Sequence, residues 1–246
     1  MRILSLNMWG RFGPYAERWA HAAEVLPKLG ADVLAIQEAA LDEPLDRVAE
    51  ATGTRILVSD IGGTGLAVLS RLESLSNKLI EYRARSPLEN YIRKFECVRL
   101  AHKKGEFLLI NTHLSWKKGD DATRAGQAQE LADFLAAKKL PAILCGDFNC
   151  EYGSGPMKPL RERYRDSLAG TVDEKRPTWD NANPFIRSHK EKFPDRRIDL
   201  ILAGPEFLKL FPLNTARIVL NDSLPASAGV PFVSDHYGIL AEFKDK

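Results

Sequence analysis

Four apolar runs in this chain each stop at a side chain that can bind a cation or move a proton. Ile3-Leu4-Ser5-Leu6 leads to Asn7, and Val33-Leu34-Ala35-Ile36-Gln37 leads to Glu38. Phe107-Leu108-Leu109-Ile110-Asn111-Thr112 leads to His113, and Ala142-Ile143-Leu144-Cys145-Gly146 leads to Asp147. Runs of this length and composition are strands. A strand end holds a polar group in fixed geometry, so the repetition points to one composite site, with donors suited to a hard cation and to phosphate.

The rest of the chain supplies layers for those strands. From Glu17 to Leu29, Trp19, Ala22, Ala23, Leu26 and Leu29 recur at spacings of three and four, predicting an amphipathic helix that Gly30 ends, with Pro27 a cost near its close. Asp42 to Ala51 predicts a second helix. Strands are expected over 55–59, 65–70, 75–83, 91–101 and 106–112, and the short Gly- and Pro-containing joints imply antiparallel pairing. A long helix fits Asp121 to Lys138, and later strands fit 197–203, 215–220 and 237–243. Helices bracketing runs of antiparallel strands predict an α/β fold: a four-layer α/β sandwich, two mostly antiparallel sheets packed face to face with helices outside. The segment from about Tyr152 to Asp195 has no periodicity, and a loop that long predicts a substrate-facing role.

With 246 residues and 44% hydrophobic content, the chain suits one domain spanning 1–246. A formal charge of +2 identifies no partner, so local clusters matter more. Cys97, Cys145 and Cys150 form no CxxC pair, and an odd count fits a reducing compartment. The N-terminus lacks a signal-peptide pattern and no apolar stretch approaches a bilayer span, so a cytoplasmic protein without membrane insertion is expected, with a monomer favoured.

Several short stretches carry chemistry. In Gly146-Asp147-Phe148-Asn149 the Asp and Asn project to the same side of an extended chain, where a carboxylate can take a proton from water while an amide orients it. An Asx turn after a strand is the bland alternative. Asp235 and His236 in Ser234-Asp235-His236 would point to opposite faces of a regular strand, so they need a loop or two separate tasks: carboxylate to metal, imidazole to phosphate. Asp199 could hold the His236 ring in one tautomer or pair with Arg196 or Arg197. His113 could be an ordinary core histidine, and His21, His102 and His189 look unremarkable.

Taken in order, Leu-Asn-Met-Trp-Gly, Ile-Gln-Glu, Asn-Thr-His-Leu, Gly-Asp-Phe-Asn, Arg-Ile-Asp-Leu-Ile and Ser-Asp-His resemble the motifs of the endonuclease/exonuclease/phosphatase superfamily from residue 7 to residue 236. The resemblance implies the same sandwich and hydrolysis of a phosphate ester with Mg²⁺, for which Mn²⁺ could substitute. It assigns Glu38, Asn7 and Asp235 to the metal. Asp147 and Asn149 fall to the attacking water, and His113 and His236, supported by Asp199, to the scissile phosphate.

Thr178-Trp179-Asp180 is similar to a motif of the tyrosyl-DNA phosphodiesterase branch, although Cys150 and Glu151 stand where that branch has a basic residue. Anchoring within the loop is the competing role for Trp179. Trp9, Trp116, Arg124 and Trp179 are candidate substrate contacts, with basic residues including Lys117, Lys190, Arg196 and Arg197 nearby, a combination that suits single-stranded nucleic acid. A phospholipid or small phosphorylated metabolite is the alternative substrate. A catalytically silent binding module is disfavoured by the complete set of site residues.

Overall fold

The computed structural model describes residues 1–40, 42–222 and 229–244. In chain order its elements are β1 (Arg2–Asn7), α1 (Tyr15–Leu29), β2 (Val33–Gln37), α2 (Asp42–Thr52), β3 (Arg55–Ser59), β4 (Ala67–Ser70), β5 (Glu73–Glu81), β6 (Lys94–His102) and β7 (Gly105–His113). There follow α3 (Asp121–Lys138), β8 (Ala142–Asp147), α4 (Lys158–Arg161), β9 (Arg165–Asp166), β10 (Asp199–Ala203), α5 (Pro205–Leu210), β11 (Leu213–Val219) and β12 (Gly238–Phe243).

Period-two patterning explains the layers. In β1, Ile3 turns toward the second sheet while Leu4 and Leu6 turn toward α1 and α2. The strands form two six-stranded sheets, ordered β11-β12-β1-β2-β4-β3 and β5-β6-β7-β8-β10-β9. Pairing is antiparallel except for β1 with β2 and β7 with β8. Ile3, Val33, Ala35 and Val68 of the first sheet meet Val98, Phe107, Leu109 and Ile143 of the second in the central core. Outside, Trp19, Leu26, Leu45 and Val48 cover the first sheet, and Leu131 and Leu135 of α3 cover the second. Full burial of one such large side chain is worth about 1.5–3 kcal/mol. The result is the expected sandwich of helices, sheet, sheet and helices.

The differences from expectation have local causes. Helix α1 starts earlier, at Tyr15, and ends as predicted with Gly30 in the left-handed conformation, φ 61°. β4 and β5 are close in sequence yet lie in different sheets, because β2 and β3 already occupy both edges of β4. A short joint can therefore cross between sheets as well as close a hairpin. β6 begins at Lys94 rather than Tyr91, since Arg93 turns to pair with Glu89 and Tyr91. The segment 152–195 is not featureless: it holds α4, β9 and a 3-10 turn at Ile186–Ser188. Trp179 and Ile186 pack there against Ile198. Cys97, Cys145 and Cys150 are free and buried.

A polar joint crosses the core beneath the strand ends. Gln37 Nε2 of β2 donates to Asn111 Oδ1 of β7 at 2.7 Å. Asn111 Nδ2 faces Ile36 O at 2.9 Å, Ala67 O at 3.1 Å and Glu96 Oε2 at 2.8 Å. Both sheets thus share one hydrogen-bonded cluster in a region otherwise closed to water.

Candidate active site

Strand alternation and pairing register bring the polar strand ends together. Asn7, His113, Asp147 and Asp199 continue the rows of residues that face the central core in β1, β7, β8 and β10. Parallel pairing sets His113 beside Asp147, and antiparallel pairing sets Asp199 beside Asp147 on its other flank. Asp147 is thereby the centre of the cluster. Gly146 makes this possible: with φ 155°, it brings the backbone close to Thr112, where a Cβ would lie 2.9 Å from the carbonyl carbon and press on its oxygen.

Glu38 follows core-facing Gln37 and by simple alternation would point toward the helices. Its backbone is left-handed instead, φ 54°, which breaks the alternation and delivers the carboxylate to the cluster. Asn7 Nδ2 lies 3.1 Å from Glu38 Oε1 and 3.0 Å from Asp147 Oδ2, while Asn7 Oδ1 accepts the Trp9 N–H at 2.9 Å. That last bond fixes the amide orientation. Asn7 therefore sets the spacing of two carboxylates from its nitrogen side.

The imidazoles complete the ring. His113 Nε2 is 3.4 Å from Asp147 Oδ2 and 3.9 Å from Glu38 Oε1. His236 Nε2 is 3.8 Å from the same Asp147 oxygen, and its Nδ1 is 2.9 Å from Asp199 Oδ2. Asp199 pairs with His236 rather than with a neighbouring arginine; Arg197 forms an ion pair with Asp166 at 2.5 Å instead, and its Nε donates to Glu174 O at 2.8 Å. Asp235 and His236 both reach the site because they lie in a loop preceding β12. Thr178 Oγ1 accepts the backbone N–H groups of Ile198 and Asp199, each at 3.2 Å. The Trp179 ring stands edge-on to His236 at 5.1 Å.

Electrostatics divide the labour. Burial, reinforced by Asp199, raises the Asp147 carboxyl to about 7 despite the opposing pull of His236. Burial followed by the charge of Asp235 also raises Glu38. For His236, burial works against the charged form, but Asp199, Asp235 and Asp147 outweigh it and hold the pKa well above the ordinary value. Burial, then Arg93 and His236, pushes His113 well below it. One imidazole is kept cationic and the other neutral around a carboxylate that can exchange a proton near neutral pH.

The donor set fits a hard divalent cation. Excess carboxylate in a desolvated pocket favours a bound cation, and Glu38 and Asp235 supply oxygens of the right kind. Asp147, Asp199 and His236 also offer ligand atoms within 4.8 Å of one another. The Asp199–His236 hydrogen bond already engages two of those groups, so Glu38 is the better placed anchor.

Glu38, His113, Asp147, Asn149, Asp235 and His236 line a cleft of about 730 Å³ that Trp9, Trp116, Trp179, Phe193 and Arg196 also border, with Asn7 and Asp199 behind them. Trp9 stacks on His189 with ring centroids 5.4 Å apart, and Lys117 Nζ lies 3.8 Å over the Trp116 ring. Trp179 serves as wall and anchor together. Arg124, expected to contact substrate, does not line the cleft: it is buried and donates to Ser115 O at 2.9 Å, Lys117 O at 3.0 Å and Asp121 Oδ1 at 2.6 Å. It shapes the loop that carries Trp116. Asn149 likewise braces its neighbours, through its N–H to Asp147 Oδ1 at 2.9 Å and its Nδ2 to Leu114 O at 3.0 Å.

Two further residues, Arg93 and Arg18, have no role in the sequence reading, and the reading of His189 as unremarkable does not hold. His189 Nε2 lies 2.8 Å from Asp235 Oδ2. It resides in the aperiodic segment, where nothing in the sequence singles it out. Arg93 pairs with Glu89 at 2.9 Å beneath His113 in a segment that is not helical, where the i, i+4 spacing carries no signal. Arg18 is buried and donates to the carbonyls of Met8, Trp9, Gly10, Phe12 and Val233, tying the Trp9 loop to the segment before Asp235. An arginine next to Trp19 on the apolar stripe of α1 was its signal.

Comparison with known proteins gives a consistent answer. The model of the Endonuclease/Exonuclease/phosphatase family matches residues 4–236. No curated protein matches the sequence. Among solved structures, TDP2 of Danio rerio complexed with a single-strand DNA product is similar in fold, with TM-score 0.82, 18% identity and coverage of 99% of this chain and 98% of that one. TDP2 of Caenorhabditis elegans gives 0.79 and 19%, covering 99% of this chain and 74% of that one. The beta toxin of Staphylococcus aureus gives 0.77 and 19%, covering 99% and 100%.

Proposed function

The chain belongs to the endonuclease/exonuclease/phosphatase family, whose members are metal-dependent hydrolases of phosphate esters, and within it we propose a Mg²⁺-dependent phosphodiesterase acting on nucleic acid. The observation that carries this reading is the setting of Asp147, which lies within 3.8 Å of Asn7, His113 and His236 at the end of a rigid strand.

Glu38 and Asp235 would hold the cation, with Asn7 fixing Glu38. When bound, the cation neutralises charge on the phosphate oxygens. Asp147 accepts a proton from the attacking water, in keeping with its raised pKa. His236, cationic and held by Asp199, donates to a phosphate oxygen, and neutral His113 donates to another. Asn149 keeps Asp147 in place. The domain spanning residues 1–246 acts as one catalytic unit in this reading. Trp116, the partly exposed indole of the cleft wall, suits a stacked base, whereas Trp9 and Trp179 are buried against His189 and shape the wall; a similar fold carries single-strand DNA in the Danio rerio TDP2 complex.

A panel of single-stranded oligonucleotides, tyrosyl-linked DNA, sphingomyelin and inositol phosphates, assayed with Mg²⁺, Mn²⁺ and EDTA, tests it. Metal-dependent cleavage of the nucleic acids is expected. Turnover confined to lipid or inositol phosphates would overturn the substrate assignment.

A further inference from the structure

The buried and half-buried arginines around the cleft divide into two kinds. Arg18, Arg93, Arg124 and Arg197 each have named protein acceptors for their guanidinium groups. Arg196 has none among the described residues: its only hydrogen bonds are those of its backbone with Thr178 and Trp179, and its buried Nε lacks a partner. Its guanidinium lies over the Phe193 ring at 4.0 Å and near that of Trp179 at 5.7 Å. It also borders the cleft. A ring against one face leaves the N–H edge of the guanidinium available, the arrangement that suits a bidentate acceptor such as phosphate.

Position separates this group from the proposed reaction centre. Trp179 bridges both to Arg196 and to His236, so two strand spacings, about 10 Å, divide the backbones of Arg196 and His236. No carboxylate comes within the 4.0 Å of an ion pair with Arg196 among the described residues. The oxygens of Asp147 already face Asn7, Asn149 and His113. The scissile phosphate belongs at that centre, and Arg196 stands beside it.

We propose that Arg196 is a specificity-determining residue that binds the internucleotide phosphate next to the scissile one, so that the preferred substrate carries at least two successive phosphates. This assignment rests on the phosphodiesterase reading above. It favours a polyanionic strand over a phosphate ester whose neighbouring group is cationic or neutral. Burial lowers the pKa of Arg196, in keeping with a site awaiting an anion.

The test fixes the cleaved bond chemically, using p-nitrophenyl phosphate esters at the 5′ or 3′ end of the dinucleotide TpT. A matched pair replaces the internucleotide phosphate by neutral methylphosphonate. With the wild type, neutralising that linkage is expected to raise KM about 10- to 100-fold, as loss of a charge-assisted bond should. Arg196→Met should raise KM on the charged substrate by a similar factor and be nearly indifferent to the methylphosphonate, and its salt slope should fall by about 0.7. Arg196→Lys, which retains the aliphatic stem on Phe193, should recover part of the loss, and circular dichroism confirms folding of both variants. Losses from the variant and the neutral linkage that simply multiply, or no loss in Arg196→Met, would overturn the assignment while leaving the phosphodiesterase reading intact. A wild type that releases nitrophenol from bis(p-nitrophenyl) phosphate but from neither dinucleotide would overturn the nucleic-acid reading, and Arg196's role with it.

Discussion

Substituting Gly146 by alanine tests whether the site depends on the close approach of β8 to β7. The new Cβ would meet the Thr112 carbonyl, with its carbon at 2.9 Å and Thr112 Cγ2 at 3.0 Å, and would sit at φ 155°. Overpacking of this kind costs about 1–3 kcal/mol, and a backbone angle suited only to glycine costs about 1–3 kcal/mol more. Partial relaxation gives an expected loss of about 2–5 kcal/mol in urea unfolding. Relief requires β8 to move away from β7, carrying Asp147 away from His113. A displacement of about 1 Å in a reacting group lowers turnover on the order of 100-fold. The signature is therefore a folded protein with depressed kcat and little change in KM, measured below its lowered melting temperature. A variant within about 0.5 kcal/mol and twofold of wild type would show that neither the contact nor the placement matters.

Asp147→Asn should remove nearly all turnover, at least about 100-fold by loss of the general base, with an unchanged circular dichroism spectrum; preserved kcat would refute its role. Glu38→Gln should raise the Mg²⁺ concentration for half-maximal activity by about tenfold or more, measured by metal titration after EDTA treatment. Asp199→Asn should shift the alkaline limb of the activity profile to lower pH, because His236 loses the first of the charges that raise its pKa; an unmoved limb would remove His236 from the charged role. In the metal-free protein Asp147 should contribute stability that is lost as pH rises from about 4 to about 7, against the opposite contribution of His113, whose pKa is depressed. Asp147 is raised to about 7, so across that window the folded protein keeps a proton that the unfolded chain has released. Mg²⁺ should accordingly raise the melting temperature more at pH 8 than at pH 5, and equal shifts would contradict it.

The strand-end pattern carried most of this site because alternation is a local property that packing preserves. Asn7, His113, Asp147 and Asp199 reach the centre through alternation and register, with Gly146 admitting the close approach of β8 to β7. Glu38 was legible as a polar ending, but its left-handed backbone was not, since it is imposed by tertiary contacts. His189 and Arg196 lie on or beside an aperiodic segment, where no period reports which way a side chain turns. Arg124 looked like a free cation in the sequence because the acceptors that consume it are backbone carbonyls. The crossing between β4 and β5 was hidden for a similar reason: sheet membership depends on which edges are already filled.

Asn7 and Glu38 ride on one sheet, whereas His113, Asp147 and Asp199 ride on the other, with Gln37 and Asn111 pinned together beneath them. Catalysis in such a molecule works as a vernier on the two halves of the sandwich. A sideways slip too small to melt any helix or strand would still misalign the marks, so heat, denaturant or a distant core mutation should silence the enzyme before spectroscopy sees it unfold.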